Sequence, residues 1–314
     1  MEDEIARVVI IGTGQMGPGI AVSTTLAGCQ TTLVGRTEES LARGRSRYEA
    51  ALAFMVEHGA VAAEAAAAAA DRLACTVDQA VAASADLVIE SIVEHLPTKQ
   101  AFFRELDARC PPRIILASNT SGLRISDIAG QMAHPERAVT THFWNPAHLM
   151  PLVEVIQGER TTEETVQRTS RFLQRCGKRP VIGRKDVPGQ ICNRILQAVI
   201  RECIYMVQEG IASAADVETA LKAGAGLRFP VYGPLEHLDA IGLDLGLAVQ
   251  TSVLPSLCNA TEPGQYLKNL VAASHLGART GQGFHDWHTR SVDELRRTRD
   301  LWLVQRMKEA RQNA

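Results

Sequence analysis

The stretch Val8–Ala21, "VVIIGTGQMGPGIA", decides the fold. Four consecutive β-branched residues read as a buried strand, the glycines break it, and Ile20 to Leu26 resume with helix-compatible spacing before "TTLVG" (31–35) supplies a second strand. That order is β-turn-α-β. Gly12, Gly14 and Gly17 satisfy G-x-G-x-x-G, with Gln15 and Met16 in the variable places. A side chain at these glycines would block the tight turn, the approach of backbone to a pyrophosphate and close helix–strand packing, while free N–H groups at the helix start face the anion. The spacing alone is a weak signal, but its position directly after a strand and before a helix makes it a strong one.

The end of the second strand bears on which dinucleotide is held. An NAD-type site places Asp or Glu there to accept from the ribose 2′-hydroxyl. This chain has Gly35 followed by Arg36. Without the acid nothing repels a 2′-phosphate, and Arg36 can pair with one through a charge-assisted bond. Arg36 as a solvated residue over the adenine is the other reading, and Glu38 and Glu39 stand close enough to neutralise it. The cofactor expected is NAD or NADP.

Beyond the turn, "SADLVIES" (84–91) and "RIILASNTS" (113–121) read as strands on either side of a helix with Pro97 near its start. Further strands fall near 138–143 and 152–156. A capping box of Thr161 with Glu164 opens a helix that stops near Gly177, and "RPVIG" returns as a strand. Residues 60–70, "AVAAEAAAAAA", have high helix propensity and read as one arm of a solvent-facing helical hairpin. Strands alternating with helices predict an α/β domain of Rossmann type with a mostly parallel sheet.

Past "RKDVPGQ" (184–190) the pattern changes. Ile195, Leu196, Val199, Ile200, Ile204 and Val207 recur at helical spacing, and β-rich runs disappear. Two domains are expected: 1–187, the dinucleotide-binding domain with its hairpin, and 188–314, a smaller all-helical domain for substrate and dimer contacts, ending in a charged amphipathic helix (291–312). The Gly-rich run 221–239 reads as part of a subunit contact, a mobile lid or an ordinary interhelix loop.

Bulk composition narrows the partners. The chain has 314 residues, 46% hydrophobic and 22% charged, with a formal net charge of -2, which gives no global pull toward nucleic acid or anionic lipid. Its seven cysteines are scattered singly, without metal-like spacing, so neither a disulfide framework nor a bound metal is expected. They read as buried thiols in a reducing cytosol. No leader peptide is read at the acidic start, and no apolar run approaches the roughly 20 residues that span a bilayer.

Ligands of open α/β sheets lie beyond the carboxyl ends of the strands, where "SNTSGL" and His142 fall. His142 reads equally as a satisfied structural residue and as a catalytic one. Glu154 alternates with Val153 and Val155 in a strand, so its carboxylate is poorly solvated and needs a partner. An imidazole would supply it and have its own pKa raised.

Six motifs in order, "GTGQMGPGIA", "ESIVEHLPTK", "SNTSGLRISDIA", "THFWNPAHLMPLVEVI", "KDVPGQICNRI" and "GQGFHDW", resemble the 3-hydroxyacyl-CoA dehydrogenase family from about Val8 to Trp287. The resemblance implies an NAD(P)-dependent dehydrogenase acting on a CH–OH group. It implies His142 as the general base at the 3-hydroxyl, Glu154 as the group that orients it, Ser121 as a partner of the substrate oxygen, and Asn193, from the helical domain, as a further catalytic residue. Glu94, Lys99 and Asn119 match positions near the cofactor ribose and nicotinamide, and the family implies a homodimer.

An acyl-CoA is the first substrate candidate, and with it a place in fatty acid metabolism. Relatives of this type also act on gulonate, carnitine and pyridine alcohols. Acyl-CoA members tend to carry lysines on the hairpin after the second strand. Here Arg43, Arg45 and Arg47 begin the region, and residues 48–71 hold no Lys or Arg. Trp144 and Gln190 stand where Phe is usual, and His285 and Trp287 where Tyr is common. A small free hydroxy compound is therefore the second candidate. A non-catalytic nucleotide-binding relative is the third reading, and retention of His142, Glu154, Ser121 and Asn193 together argues against it.

Overall fold

The apolar run after Ala6 becomes β1 (Arg7–Ile11), whose successive side chains face opposite ways and so feed two cores. Val8 and Ile10 join Ile20, Leu33, Tyr48 and Met55 on one face, while Val9 and Ile11 join Phe103, Leu106 and Ile128 on the other. The computed structural model describes residues 4–312. After β1 come α1 (Gly17–Leu26), β2 (Gln30–Val34), the helical hairpin α2 (Glu38–Glu57) and α3 (Ala63–Ala70), and β3 (Leu73–Thr76). Then follow β4 (Leu87–Glu90), α4 (Leu96–Arg109), β5 (Ile115–Ser118), the short α5 (Ile125–Ile128), β6 (Ala138–Phe143), β7 (Leu152–Ile156), α6 (Glu163–Arg175) and β8 (Arg179–Gly183).

The strands form one eight-stranded sheet in the order β3-β2-β1-β4-β5-β6-β7-β8. All neighbours run parallel except β6 and β7. The mostly parallel Rossmann-type sheet expected from the alternation is thus present. From β1 the strand order leads to β2 on one side and to β4 on the other, which opens a crevice beyond the carboxyl end of β1. The Gly-rich turn occupies that point.

Local detail departs from the sequence reading in two places. The strand β3, "LACT", is too short and too plain in pattern to be read as one, yet it pairs with β2 from Thr31–Leu73 to Val34–Thr76. The cap of α6 is Thr162, whose hydroxyl accepts from the Thr165 N–H, rather than Thr161 with Glu164. Thr161 is drawn inward instead, donating to the Ala138 carbonyl at 2.6 Å.

Contacts divide the chain into two units: residues up to Asn193 together with those from Arg297 on, and Arg194–Arg296. The second unit is all-helical and holds most of α7 (Cys192–Gln208), then α8 (Ala214–Ala223), α9 (Ala225–Arg228), α10 (Pro234–Ile241), α11 (Leu243–Val253) and α12 (Gln265–Ala272). The Gly-rich run 221–239 is mostly helix, spanning the end of α8, all of α9 and the start of α10. The last helix, α13 (Val292–Gln312), ends within the first unit. There Val304 is buried in the Val8–Ile10 core, and Lys308 Nζ stands 3.5 Å from the His58 carbonyl beyond the end of α2. Among the described residues, no helix is long and apolar enough to cross a membrane.

Candidate active site

The turn after β1 has the shape a dinucleotide needs. Gly12 sits at φ +124°, and a Cβ there would fall 2.2 Å from the Ser91 carbonyl oxygen, so no other residue fits. At Gly14 the space is open, with nothing within 4 Å of a Cβ, and the residue is exposed. Backbone can meet a phosphate directly there. Gln15 is exposed beside it, and Met16 caps α1 while packing its side chain against the core. Gly17 begins α1, in contact with Gly12. These residues fit a dinucleotide.

Beside the turn, the Gly12 N–H donates to the Val34 carbonyl at 3.0 Å, which sets Gly35 and Arg36 next to it. Arg36 is exposed, while Gly35 is buried. From α2, Arg47 donates to the Thr13 carbonyl at 3.2 Å, and Gly44 lets the helix rest on the Thr13 side chain.

At the carboxyl ends of β4 and β5 lies a buried acid–base cluster whose centre, Glu90, sequence reasoning passed over. Glu90 is fully buried and accepts from Lys99 Nζ (2.6 Å), the Ile92 N–H (2.6 Å) and the Ser118 hydroxyl (2.7 Å). A buried carboxylate requires such partners, and Lys99, 1% exposed, is committed to it with Glu94 3.4 Å away. Glu94 in turn accepts from the Thr120 hydroxyl (2.6 Å) and the N–H groups of Ser121 (2.9 Å) and Gly122 (3.1 Å). Burial works to raise the Glu94 carboxyl, but the Thr120 bond, the Lys99 charge and the two backbone donors hold it below the usual range. Its carboxylate therefore fixes the turn that carries Ser121.

The antiparallel step in the sheet builds the second cluster. His142 on β6 and Glu154 on β7 are register partners, so both side chains point to one face. His142 Nδ1 lies 2.7 Å from Glu154 Oε2. A carboxylate offers only lone pairs, so Nδ1 supplies the proton of this bond and Nε2 is the ring nitrogen left clear of it. The indole N–H of Trp144 donates to the same Oε2 at 3.1 Å, and the N–H groups of Ile191 and Cys192 donate to Oε1 at 2.9 and 2.8 Å. Burial raises the Glu154 carboxyl, but His142, the Cys192 N–H, Trp144 and the Ile191 N–H together bring it down to about 2. It stays ionised at every working pH.

The two clusters are joined. Asn119 Oδ1 accepts from the Phe143 N–H at 2.8 Å, and its Nδ2 donates to Ser91 Oγ at 3.3 Å, so both ends of the amide are engaged between β4 and β6. Asn193, at the start of α7, donates from Nδ2 to the Ser121 carbonyl at 3.1 Å. Gln190, at φ +54° and 4% exposed, donates to the Thr120 carbonyl at 2.9 Å, leaving its Oε1 buried without a partner. His285 and Trp287 lie in the second unit.

A Gly-rich turn at the switch point and a buried His142–Glu154 pair by the carboxyl edge of the sheet are features suited to hydride transfer to a dinucleotide. The chain accordingly falls among NAD(P)-dependent dehydrogenases acting on a CH–OH group. Family models narrow the class: residues 7–187 match the NAD binding domain of 3-hydroxyacyl-CoA dehydrogenase, and residues 189–287 its C-terminal domain. The chain belongs to the 3-hydroxyacyl-CoA dehydrogenase family.

Individual relatives differ in substrate. The chain is 32% identical over 310 residues, 98% of its length and 100% of the relative's, to 5-formyl-3-hydroxy-2-methylpyridine 4-carboxylate 5-dehydrogenase of Mesorhizobium japonicum. It is 36% identical over 289 residues, 92% of its length and 99% of the relative's, to a probable 3-hydroxybutyryl-CoA dehydrogenase of Bacillus subtilis. Among solved structures, a 5-formyl-3-hydroxy-2-methylpyridine 4-carboxylic acid 5-dehydrogenase, described as an NAD+-dependent dismutase, superposes with a TM-score of 0.88 at 31% identity, covering 96% of both chains. The (S)-3-hydroxybutyryl-CoA dehydrogenase of Ralstonia eutropha gives 0.76 at 30% identity, covering 90% of this chain and 99% of that one.

Proposed function

We infer that the protein oxidises the CH–OH carbon of a small free hydroxy compound, of the pyridine-alcohol or hydroxy-acid type, rather than of an acyl-CoA. The observation that carries this reading is the state of the α2–α3 hairpin. Its early arginines are spent internally: Arg43 pairs with Glu39, Arg45 with Glu49 at 2.9 Å, and Arg47 holds the Thr13 carbonyl. No Lys or Arg follows between 48 and 71, and α13 lies against the hairpin's tip, with Lys308 directed to the His58 carbonyl. A CoA phosphate would have to draw these arginines out of their existing contacts, and no lysine or arginine follows on the hairpin to help it. The likeness to the pyridine enzyme also extends past residue 287, where the family model stops, and so takes in α13.

In the chemistry, His142 Nε2 takes the hydroxyl proton as the C–H hydrogen leaves with its electron pair. The nicotinamide, when bound, supplies the hydride acceptor. Glu154 holds the imidazole in the productive tautomer and balances the positive charge it gains, a role of the kind that contributes roughly 10²- to 10⁴-fold. Ser121 and Asn193 hold the substrate oxygen, and the turn that bears Ser121 is kept in place by Glu94. In the reverse direction His142 returns the proton.

The acyl-CoA reading is favoured by one observation, the 36–37% identity to acyl-CoA enzymes over about nine-tenths of the chain. Nicotinamide absorbance decides between the two. Purified protein is assayed with 3-hydroxybutyryl-CoA and acetoacetyl-CoA, and with free hydroxy acids and hydroxymethyl or formyl pyridines, using both coenzymes and a His142→Gln control. Turnover of the free compounds alone, lost in the variant, is expected; turnover of the CoA esters alone would overturn the reading.

The protein acts as a homodimer in this reading. The support is the apolar surface of the helical unit, where Leu227, Val231, Leu235, Leu243 and Leu247 are each more than 60% exposed. Sedimentation velocity at micromolar concentration tests it, and a monomer would remove this part of the reading.

A further inference from the structure

We propose that the dinucleotide site selects NADP(H), with Arg36 receiving the 2′-phosphate in the place where an NAD-type site carries an acid. This goes beyond the substrate reading and does not depend on it, because coenzyme binding precedes any choice of substrate.

Three observations carry the inference. The first is steric. Gly35, at the end of β2, is the position from which an Asp or Glu would reach the ribose 2′-hydroxyl. A Cβ built there would lie 3.1 Å from both the Leu41 Cβ and the Ser40 Oγ, tighter than ordinary contact. The first turn of α2 packs close over Gly35, so an acidic side chain there would have to push Ser40 or Leu41 aside by a few tenths of an ångström. The position is filled to the measure of a glycine, without the carboxylate.

The second is electrostatic. Arg36 is exposed and, among the described residues, makes no hydrogen bond or ion pair. Two carboxylates stand close by in sequence, and Glu39 is taken by Arg43 one helical turn on. Glu38 is exposed on the first turn of α2 and makes no ion pair with Arg36. A guanidinium left free beside a phosphate-binding turn offers two parallel N–H groups to a phosphate dianion, which it cannot use on the neutral 2′-hydroxyl of NAD.

The third is position. Val34 O accepts from Gly12 N, and Arg47 together with Gly44 seats α2 on Thr13 of the turn. Arg36 therefore belongs to the rim of the dinucleotide turn and not to a remote surface.

The test is binding, with no substrate present. Wild-type protein is titrated with NADPH and with NADH, following nicotinamide fluorescence, and each complex is competed with 2′,5′-ADP and with 5′-ADP. NADPH should bind at least about tenfold more tightly than NADH, and 2′,5′-ADP should be the better competitor. Arg36→Gln, an exposed change checked for unaltered melting temperature, should weaken NADPH by roughly 10- to 100-fold and leave NADH within about twofold. Equal or tighter binding of NADH by the wild type, or a preference that survives Arg36→Gln, overturns the proposal. Failure of every substrate in the turnover assay would leave it untouched.

Discussion

Trp144 and His142 donate to one and the same oxygen, Glu154 Oε2, at 3.1 and 2.7 Å. The indole thus draws on the electron density that would otherwise go to the imidazole. Trp144→Phe removes that competitor while keeping an aromatic ring near His142, whose centroid is 5.6 Å away. Glu154 Oε2 then accepts from His142 alone, and the carboxylate that orients the imidazole loses one of its four anchoring donors. kcat/KM should fall by roughly tenfold while the melting temperature changes little. An unchanged kcat/KM would show that Trp144 only fills space.

Glu154→Gln should cost activity and acid sensitivity together. The amide cannot accept all four donors, and one N–H must face another, so kcat/KM should fall roughly 10²- to 10⁴-fold. The same carboxyl, held at about 2 against an ordinary 4.5, binds fewer protons folded than unfolded. Its stabilisation is complete above the unfolded value and is lost as pH falls from 4.5 toward 2, in total roughly 3 kcal/mol. Urea titrations across that window should show this slope in the wild type and lack it in the variant.

Gly12 and Gly14 are expected to part company on substitution by alanine. At Gly12 the new methyl meets the Ser91 carbonyl and a positive φ, so stability should drop by more than about 2 kcal/mol. At Gly14 the methyl enters open space, so the melting temperature should hold while coenzyme affinity falls about tenfold or more. Calorimetry and fluorescence titration separate the two effects.

Lys178 makes an alkaline prediction of the same sign. Its ammonium is buried, donating to the Ala147 carbonyl at 2.6 Å and the Met150 carbonyl at 3.1 Å, and burial brings its pKa down to about 8 from 10.5. Between those values the unfolded chain keeps a proton that the native state has lost, so stability gains as pH rises. Relative to Lys178→Met, the wild type should become more stable between pH 8 and 10.5 by roughly 2–3 kcal/mol. A constant difference across that range would contradict the assignment.

Much of the site was legible before folding because its requirements are local. The glycine turn must follow a strand and open a helix, and it does. A carboxylate set between Val153 and Val155 must find a partner, and that need pointed to His142. Other parts were not legible. The resemblance matches Lys99 to a position near the cofactor, and the fold buries its ammonium on Glu90. Nothing in a lone Glu at the end of a strand announces such a pairing. The strand β3 escaped because four residues carry too little periodicity, and its identity comes from β2 alongside it.

The chain by itself determined the alternation of strand and helix, the phosphate turn and the residue types that can do acid–base work, since propensity and periodicity act between near neighbours. Only the tertiary structure decided that β7 runs against β6 so that His142 meets Glu154, that Ile191 and Cys192 turn their N–H groups onto that carboxylate, and that α13 returns to the hairpin. These are contacts between residues 12 to 250 positions apart, and their free energy comes from burial and charge pairing that exist only once the sheet has closed around them.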